Sequence, residues 1–146
     1  MTILDQTANS DDLDTIRKVL DFSLTKTNLT DAVILLSAFL PQAEIEVKAR
    51  VTTWAAILAG DDDETVKLKN AVIYTAAAKL APSSIVATAL NVQARDMSYT
   101  RPAYNGQRRQ AELLADADSL IDDLTSVATP DMPTMFARAT GRRGQY

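Results

Sequence analysis

The 146-residue chain contains no histidine and no cysteine, so any side-chain chemistry must come from its 19 acidic and 15 basic residues and its hydroxyls. Without histidine it lacks the commonest general base and the commonest metal ligand. Without cysteine it has no thiol nucleophile, thiolate metal site or disulfide. A Ser/His/Asp relay, a Cys/His pair and a histidine-bearing zinc site cannot be built from this chain alone. Carboxylates remain, and pairs of them serve as acid and base in some hydrolases, but helices bring such pairs together constantly. The densest run is Asp61, Asp62, Asp63 and Glu64. Calcium loops alternate oxygen ligands over about twelve positions and end on a distant bidentate Glu, and nothing here has that spacing. The run reads instead as a helix cap with an acidic first turn. No glycine pattern matches a phosphate-binding loop or a dinucleotide turn. These residues point to a protein that is not an enzyme and uses no metal or cofactor.

Two further constellations carry charge in a pattern. Arg108 and Arg109 stand near the start of an apolar-periodic segment, and Glu112, Asp116, Asp118, Asp122 and Asp123 follow with no basic residue among them. Base at a helix amino end and acid at its carboxyl end both oppose the dipole, by about 0.3–1 kcal/mol per placement. Neighbouring subunits supplying opposite charges would account for this polarity, and so would an ordinary solvated face. At the carboxyl end of the sequence, Met132, Met135 and Phe136 offer apolar anchors, followed by Arg138, Arg142, Arg143 and the aromatic Tyr146. In a docked tail the apolar residues would fill a partner's groove and the arginines would pair at its rim. An inert tail and a DNA-backbone contact of small electrostatic footprint are the other readings.

These groups need helices to position them. Leu13, Ile16 and Leu20 recur at helical spacing behind Ser10, Asp11 and Asp12, which predicts a short helix over 12–22. Leu29, Val33, Leu36, Leu40, Ala43, Val47, Val51, Trp54 and Leu58 then advance almost entirely in alternating steps of three and four, drawing one apolar stripe that packs in the core or at an interface. Trp54 reads as core, with an interface position as its alternative. Pro41 falls inside the stripe without disturbing its phase, so the expectation is one bent rod or two nearly collinear segments. Beyond Gly60 a third main helix, marked by Val66, Ile73, Ala77 and Leu80 and rich in alanine, ends before Pro82. Residues 83–93 stay open between helix and strand, and 94–103 read as a loop or short strand. A final helix over 104–124 carries Ala111, Leu114, Ala117, Ile121 and Leu124 on one face, widened by Leu113 and Leu120.

The expected fold class is mostly α: a small bundle of about four to five helices, with a short extended or β-like segment and an extended carboxyl-terminal tail. The division is a flexible lead-in over 1–9, a helical domain over 10–125 and a docking tail over 126–146. Hydrophobic residues at 47% and charged residues at 23% suit one folded domain of ordinary size. The net charge of -4 argues against a general nucleic-acid binder. The first fourteen residues do not read as a signal peptide, and apolar windows such as 32–40 are too short to span a membrane. Cytosolic origin, or assembly inside a cell, is the expected setting.

Three segments resemble the head-tail connector, or adaptor, proteins of tailed bacteriophages. They are LTDAVILLSAFLPQAEIEVKARV at 29–51, VKLKNAVIYTAAAKLAPS at 66–83 and ARDMSYTRPAYNGQRRQAELLADADSLIDDL at 94–124. Together they follow the family's order of helices over most of the chain. The resemblance implies a subunit without catalytic residues in a ring, often of twelve copies, beneath the portal protein at the head-tail junction. Such a ring bridges the portal to the next neck or tail-completion protein and lines the channel through which DNA passes. It implies that the segment from Met132 to Tyr146 docks on the portal, and that Asp116, Asp118, Asp122 and Asp123 are candidates for an acidic channel surface. The alternatives are a generic helical assembly module and a DNA-binding packaging subunit resembling a small terminase, with Arg101, Arg108, Arg109, Arg142 and Arg143 on one face.

Overall fold

A computed structural model of the chain describes residues 1–60, 62–96 and 104–126. Helix α1 spans Asp11–Leu20 because its ends are chemically satisfied. The Ser10 hydroxyl accepts from Leu13 N–H, Asp11, Asp12 and Asp14 fill the first turn, and Arg17 and Lys18 fill the last. Leu13, Ile16 and Leu20 form its buried face.

The long apolar stripe does not become a rod. It is cut into α2 (Asp31–Ile34), α3 (Leu40–Arg50) and α4 (Trp54–Gly60). Pro41 sits in the first turn of α3, where its missing amide proton costs nothing, so it opens a helix rather than bending one. The second break follows Arg50, at Val51-Thr52-Thr53, a β-branched run of poor helix propensity. Leu29, Leu40, Val47 and Val51 are buried, and Val33, Trp54 and Leu58 pack against them part-buried. Leu36 departs from the expected stripe, because it lies in the turn between α2 and α3 and is 51% exposed.

Helix α5 (Asp63–Leu80) is the axis of the fold, with α1, α3, α4 and α7 each packed on it. Ala71, Ala76, Ala77 and Ala78 are wholly buried, so neighbours approach it closely from several sides. Ile73 is buried as expected, and the hydroxyls of Thr65 and Thr75 are satisfied by the carbonyls of Ile57 and Ala71. Asp62 caps α5 in a reciprocal box with Thr65, which is the role the sequence suggests for the acidic run.

After a short turn containing Pro82, α6 (Ser84–Asp96) leaves α5 at 85°. Of the stretch left open over 83–93, all but Ser83 is helix, and residues 94–96, expected as the start of a loop or short strand, continue it. Residues 97–103 lie outside the described residues. Helix α7 (Gly106–Ser126) returns along α5 and buries Leu113, Ala117, Ile121 and Leu124. Leu114 is 40% exposed and Ala111 is exposed, so the buried face is centred one residue earlier than expected. Leu113, with Ala117, Leu120, Ile121 and Leu124, makes the stripe that meets α5.

The result is a helical bundle with seven helices and no strand among the described residues, against an expected four to five helices with a β-like segment. The extra helices come from the division of the stripe and from α6. The lead-in is not loose: Ile3 and Leu4 are 4% and 1% exposed and belong to the core. No single described helix is long and apolar enough to cross a membrane, although α5 and the first half of α6 together pass such a test as a bent pair. The apolar surface of α5 is covered by its neighbours within the bundle except at Val66, which the expected pattern grouped with Ile73 and which is 57% exposed.

Candidate functional site

The first turn of α7 fixes what the rest of the helix presents. Asn105 accepts the Arg108 N–H at 3.1 Å, and the Tyr104 hydroxyl donates to the Ala81 carbonyl at 2.7 Å. Burial pushes the Tyr104 phenol above its usual range, with the nearby Arg109 charge opposing and Asp21 adding to the rise. Gly106 lies so close to the α5–α6 turn that a Cβ there would meet the Ala81 carbonyl oxygen at 2.5 Å. Arg109 reaches across to α1 and donates to the Val19 carbonyl at 2.5 Å, placing a cation at that helix's carboxyl end.

With Leu113, Ala117, Ile121 and Leu124 turned to α5, the outer face carries Glu112, Asp116, Asp118, Asp122 and Asp123, all exposed. Arg108 and Arg109 both donate to Glu112, at 3.3 and 3.1 Å. Those bonds, Arg109's first, hold its carboxyl below the usual range. Further along, Asp118 pairs with Arg50 of α3 at 2.6 Å, and Asp123 lies 3.9 Å from Lys67 of α5. Part of the charge opposing the α7 dipole is thus compensated within the chain. Asp116 and Asp122 have no ion pair among the described residues.

Arg109 is a clamp between α7 and α1 as much as part of a charged face. Met132, Met135, Phe136, Arg138, Arg142, Arg143 and Tyr146 lie outside the described residues, as does Asp61. Arg108, on the first turn of α7, has a side chain 79% exposed.

Two buried charged groups escaped the sequence reading. Arg17 is 1% exposed; its Nε donates to Leu29 O at 2.6 Å, and its two terminal nitrogens bind Asp14 and Asp31. Asp31 also accepts the Asn9 N–H, and its carboxyl is held below the usual range by Arg17 first and Asn9 second. Glu44 is 3% exposed and accepts the N–H groups of both Ile3 and Leu4 at 2.9 Å through one oxygen. Lys48 lies 3.4 Å from its other oxygen, donates to Met1 O at 2.7 Å and sits 4.4 Å from the Trp54 ring centroid. The only advance sign was the i,i+4 spacing of Glu44 and Lys48, which is too common to mark a buried pair.

Chemically, the arrangement offers an exposed anionic stripe on a rigid helix, and interior ion pairs consumed by the fold. Among the described residues no group of three or more acidic side chains is arranged to hold a metal ion. Compared with known proteins, the chain matches no family model, no curated protein and no solved structure.

Proposed function

We propose that the chain is a structural subunit of a tailed-phage neck, docking on the portal protein and bridging the DNA-filled head to the next neck or tail-completion protein. The observation that carries this reading is the outer face of α7. Asp116, Asp118, Asp122 and Asp123 lie exposed along it, while the opposite face is locked onto α5. A fixed anionic surface repels phosphate, so a channel lined by it lets a duplex slide without holding it.

In this reading about twelve copies form a ring at the head-tail junction, assembled in the host cytoplasm. Met132, Met135 and Phe136 anchor each subunit in a portal groove, with Arg138, Arg142, Arg143 and Tyr146 at the rim. The protein catalyses no reaction and needs no cofactor. Neither a membrane nor a DNA sequence is a partner.

Electron microscopy of the purified chain mixed with the portal from its own source tests the proposal. A symmetric collar of density on the tail-side end of the portal is the expected image. Bare portal rings beside folded, soluble chain would transfer the assignment to a generic helical assembly module. Salt-sensitive DNA binding would transfer it to a packaging subunit.

A further inference from the structure

In the lead-in, backbone amides end on carboxylates. Ile3 and Leu4 N–H both donate to Glu44 Oε1 of α3 at 2.9 Å, and Asp5 N–H donates to Asp12 Oδ2 of α1 at 2.8 Å. Thr7 gives its amide and hydroxyl to Asp5 Oδ1 at 2.9 and 2.6 Å, and Asn9 N–H reaches Asp31 Oδ2 of α2 at 2.8 Å. Five amides of one short segment thus rest on four carboxylates, from α1, α2, α3 and the segment itself. Two of its carbonyls are taken as well, Met1 O by Lys48 and Asp5 O by the Ser10 hydroxyl, both at 2.7 Å. Ile3 and Leu4 put their side chains into the core, while Thr2, Asp5 and residues 7–9 lie exposed.

Few cations face these carboxylates. Glu44 has Lys48 at 3.4 Å on its own helix, whereas Lys79 of the adjoining α5 pairs with Glu46 instead. Asp31 faces Arg17 of α1, which it shares with Asp14, and feels the charge of Lys26. Arg17 and Asn9 hold the Asp31 carboxyl below its usual range, and the Thr7 hydroxyl and amide do the same for Asp5. Their share of the hold is therefore complete above the ordinary carboxylate value of about 3.9 and is lost as pH falls through the lower folded values. A neutral carboxylic acid accepts a hydrogen bond more weakly than a carboxylate does. Protonated Asp14 and Asp31 also leave the buried Arg17 charge uncompensated. The contact of α7 with α5 is built otherwise. Leu113, Ala117, Ile121 and Leu124 bury no ionisable group there, and the pairs of Asp118 with Arg50 and Asp123 with Lys67 lie at its exposed rim.

We propose that residues 1–9 are an acid-operated strap: protonation of Glu44, Asp12 and Asp31 releases them as a unit and withdraws Ile3 and Leu4 from the core, while α5 and α7 stay packed. Release uncovers two large apolar side chains and the core surface they occupied. The inference goes beyond the neck reading and does not depend on it.

The test measures amide protection factors residue by residue in the full chain, in steps from pH 7 to pH 2. Protection at Ile3, Leu4 and Asp5 should fall by about tenfold or more, reversibly, over a range in which Leu113, Ala117 and Ile121 keep theirs. Trp54, whose ring centroid lies 4.4 Å from the Lys48 ammonium, should change its emission together with the strap amides. Loss at Ile3 and Leu4 that coincides with loss along α7 is global unfolding and overturns the proposal. Protection at Ile3 and Leu4 that survives to pH 2 also overturns it. A second experiment uses Glu44→Gln, which keeps an oxygen for the two amides but gains no proton in this range. Asp12→Asn, at a part-exposed position, makes the same change where the fold tolerates it. At the parent's release midpoint, each variant should keep Ile3, Leu4 and Asp5 together severalfold better protected than the parent. An acid loss equal to the parent's in both variants shows that the carboxylates are not the trigger, and the proposal falls.

Discussion

Removing Asp31 leaves one nitrogen of a 1% exposed guanidinium without its carboxylate. Breaking a buried pair from one side is far costlier than never building it, so Asp31→Ala is expected to lower stability by about 3 kcal/mol in urea melts. The Asp31 carboxyl is depressed in the folded state, chiefly by Arg17. Its contribution is therefore complete above the unfolded value of about 3.9 and is lost as pH falls through the lower folded value. Melts from pH 5 to pH 2 should show Asp31→Asn with a shallower acid loss than the parent. Glu44 makes a parallel case. Glu44→Ala deprives two buried amides of their acceptor, so Ile3 and Leu4 should lose hydrogen-exchange protection and stability should fall by about 2 kcal/mol. Retained protection at those amides would mean the lead-in is held by its apolar contacts alone.

At the scale of elements, the junction of α7 with the α5–α6 turn sets the direction of the acidic face. Alanine favours helix over glycine by about 1 kcal/mol, yet the Cβ of Gly106→Ala would lie 2.5 Å from a backbone carbonyl oxygen and 2.9 Å from Pro82 Cα. The steric term should win, giving a lower Tm; a variant more stable than the parent would show that the turn yields. The same elements mark how much pattern alone conveys. The caps at Ser10 and Asp62 and the end of α5 before Pro82 were legible, because capping is local chemistry written in adjacent residues. The division of the 29–58 stripe was not. Periodicity records which residues face the core, and three short helices sharing one core repeat that record almost as well as one rod. Leu36 and Leu114 are the residues that expose the difference.

For the whole molecule, the proposed role separates folding from attachment. In this reading the bundle folds without residues 132–146, so their deletion should leave thermal melts unchanged while portal binding is lost. Retained binding would move the docking surface into the bundle. Reversing Asp116 and Asp122 to Lys alters two exposed positions on α7 and should leave the fold intact. It should introduce DNA affinity that falls steeply with added salt. A variant that still ignores DNA at low salt would argue that this face meets protein instead.

Composition and local pattern by themselves determined that the chain is mostly helical, that it lacks histidine and thiol chemistry, and where several helices begin and end. Those properties follow from side-chain inventory and from interactions between residues a few positions apart. Tertiary structure alone decided that Arg17 and Glu44 are interior, that residues 1–9 contribute to the core, and that α7 turns Leu113 rather than Leu114 toward α5. It also decided that Arg50 and Lys67 partly neutralise the acidic face. Each depends on groups tens of residues apart, and a one-dimensional pattern holds no record of which distant carbonyl, amide or charge will meet a side chain when the helices pack.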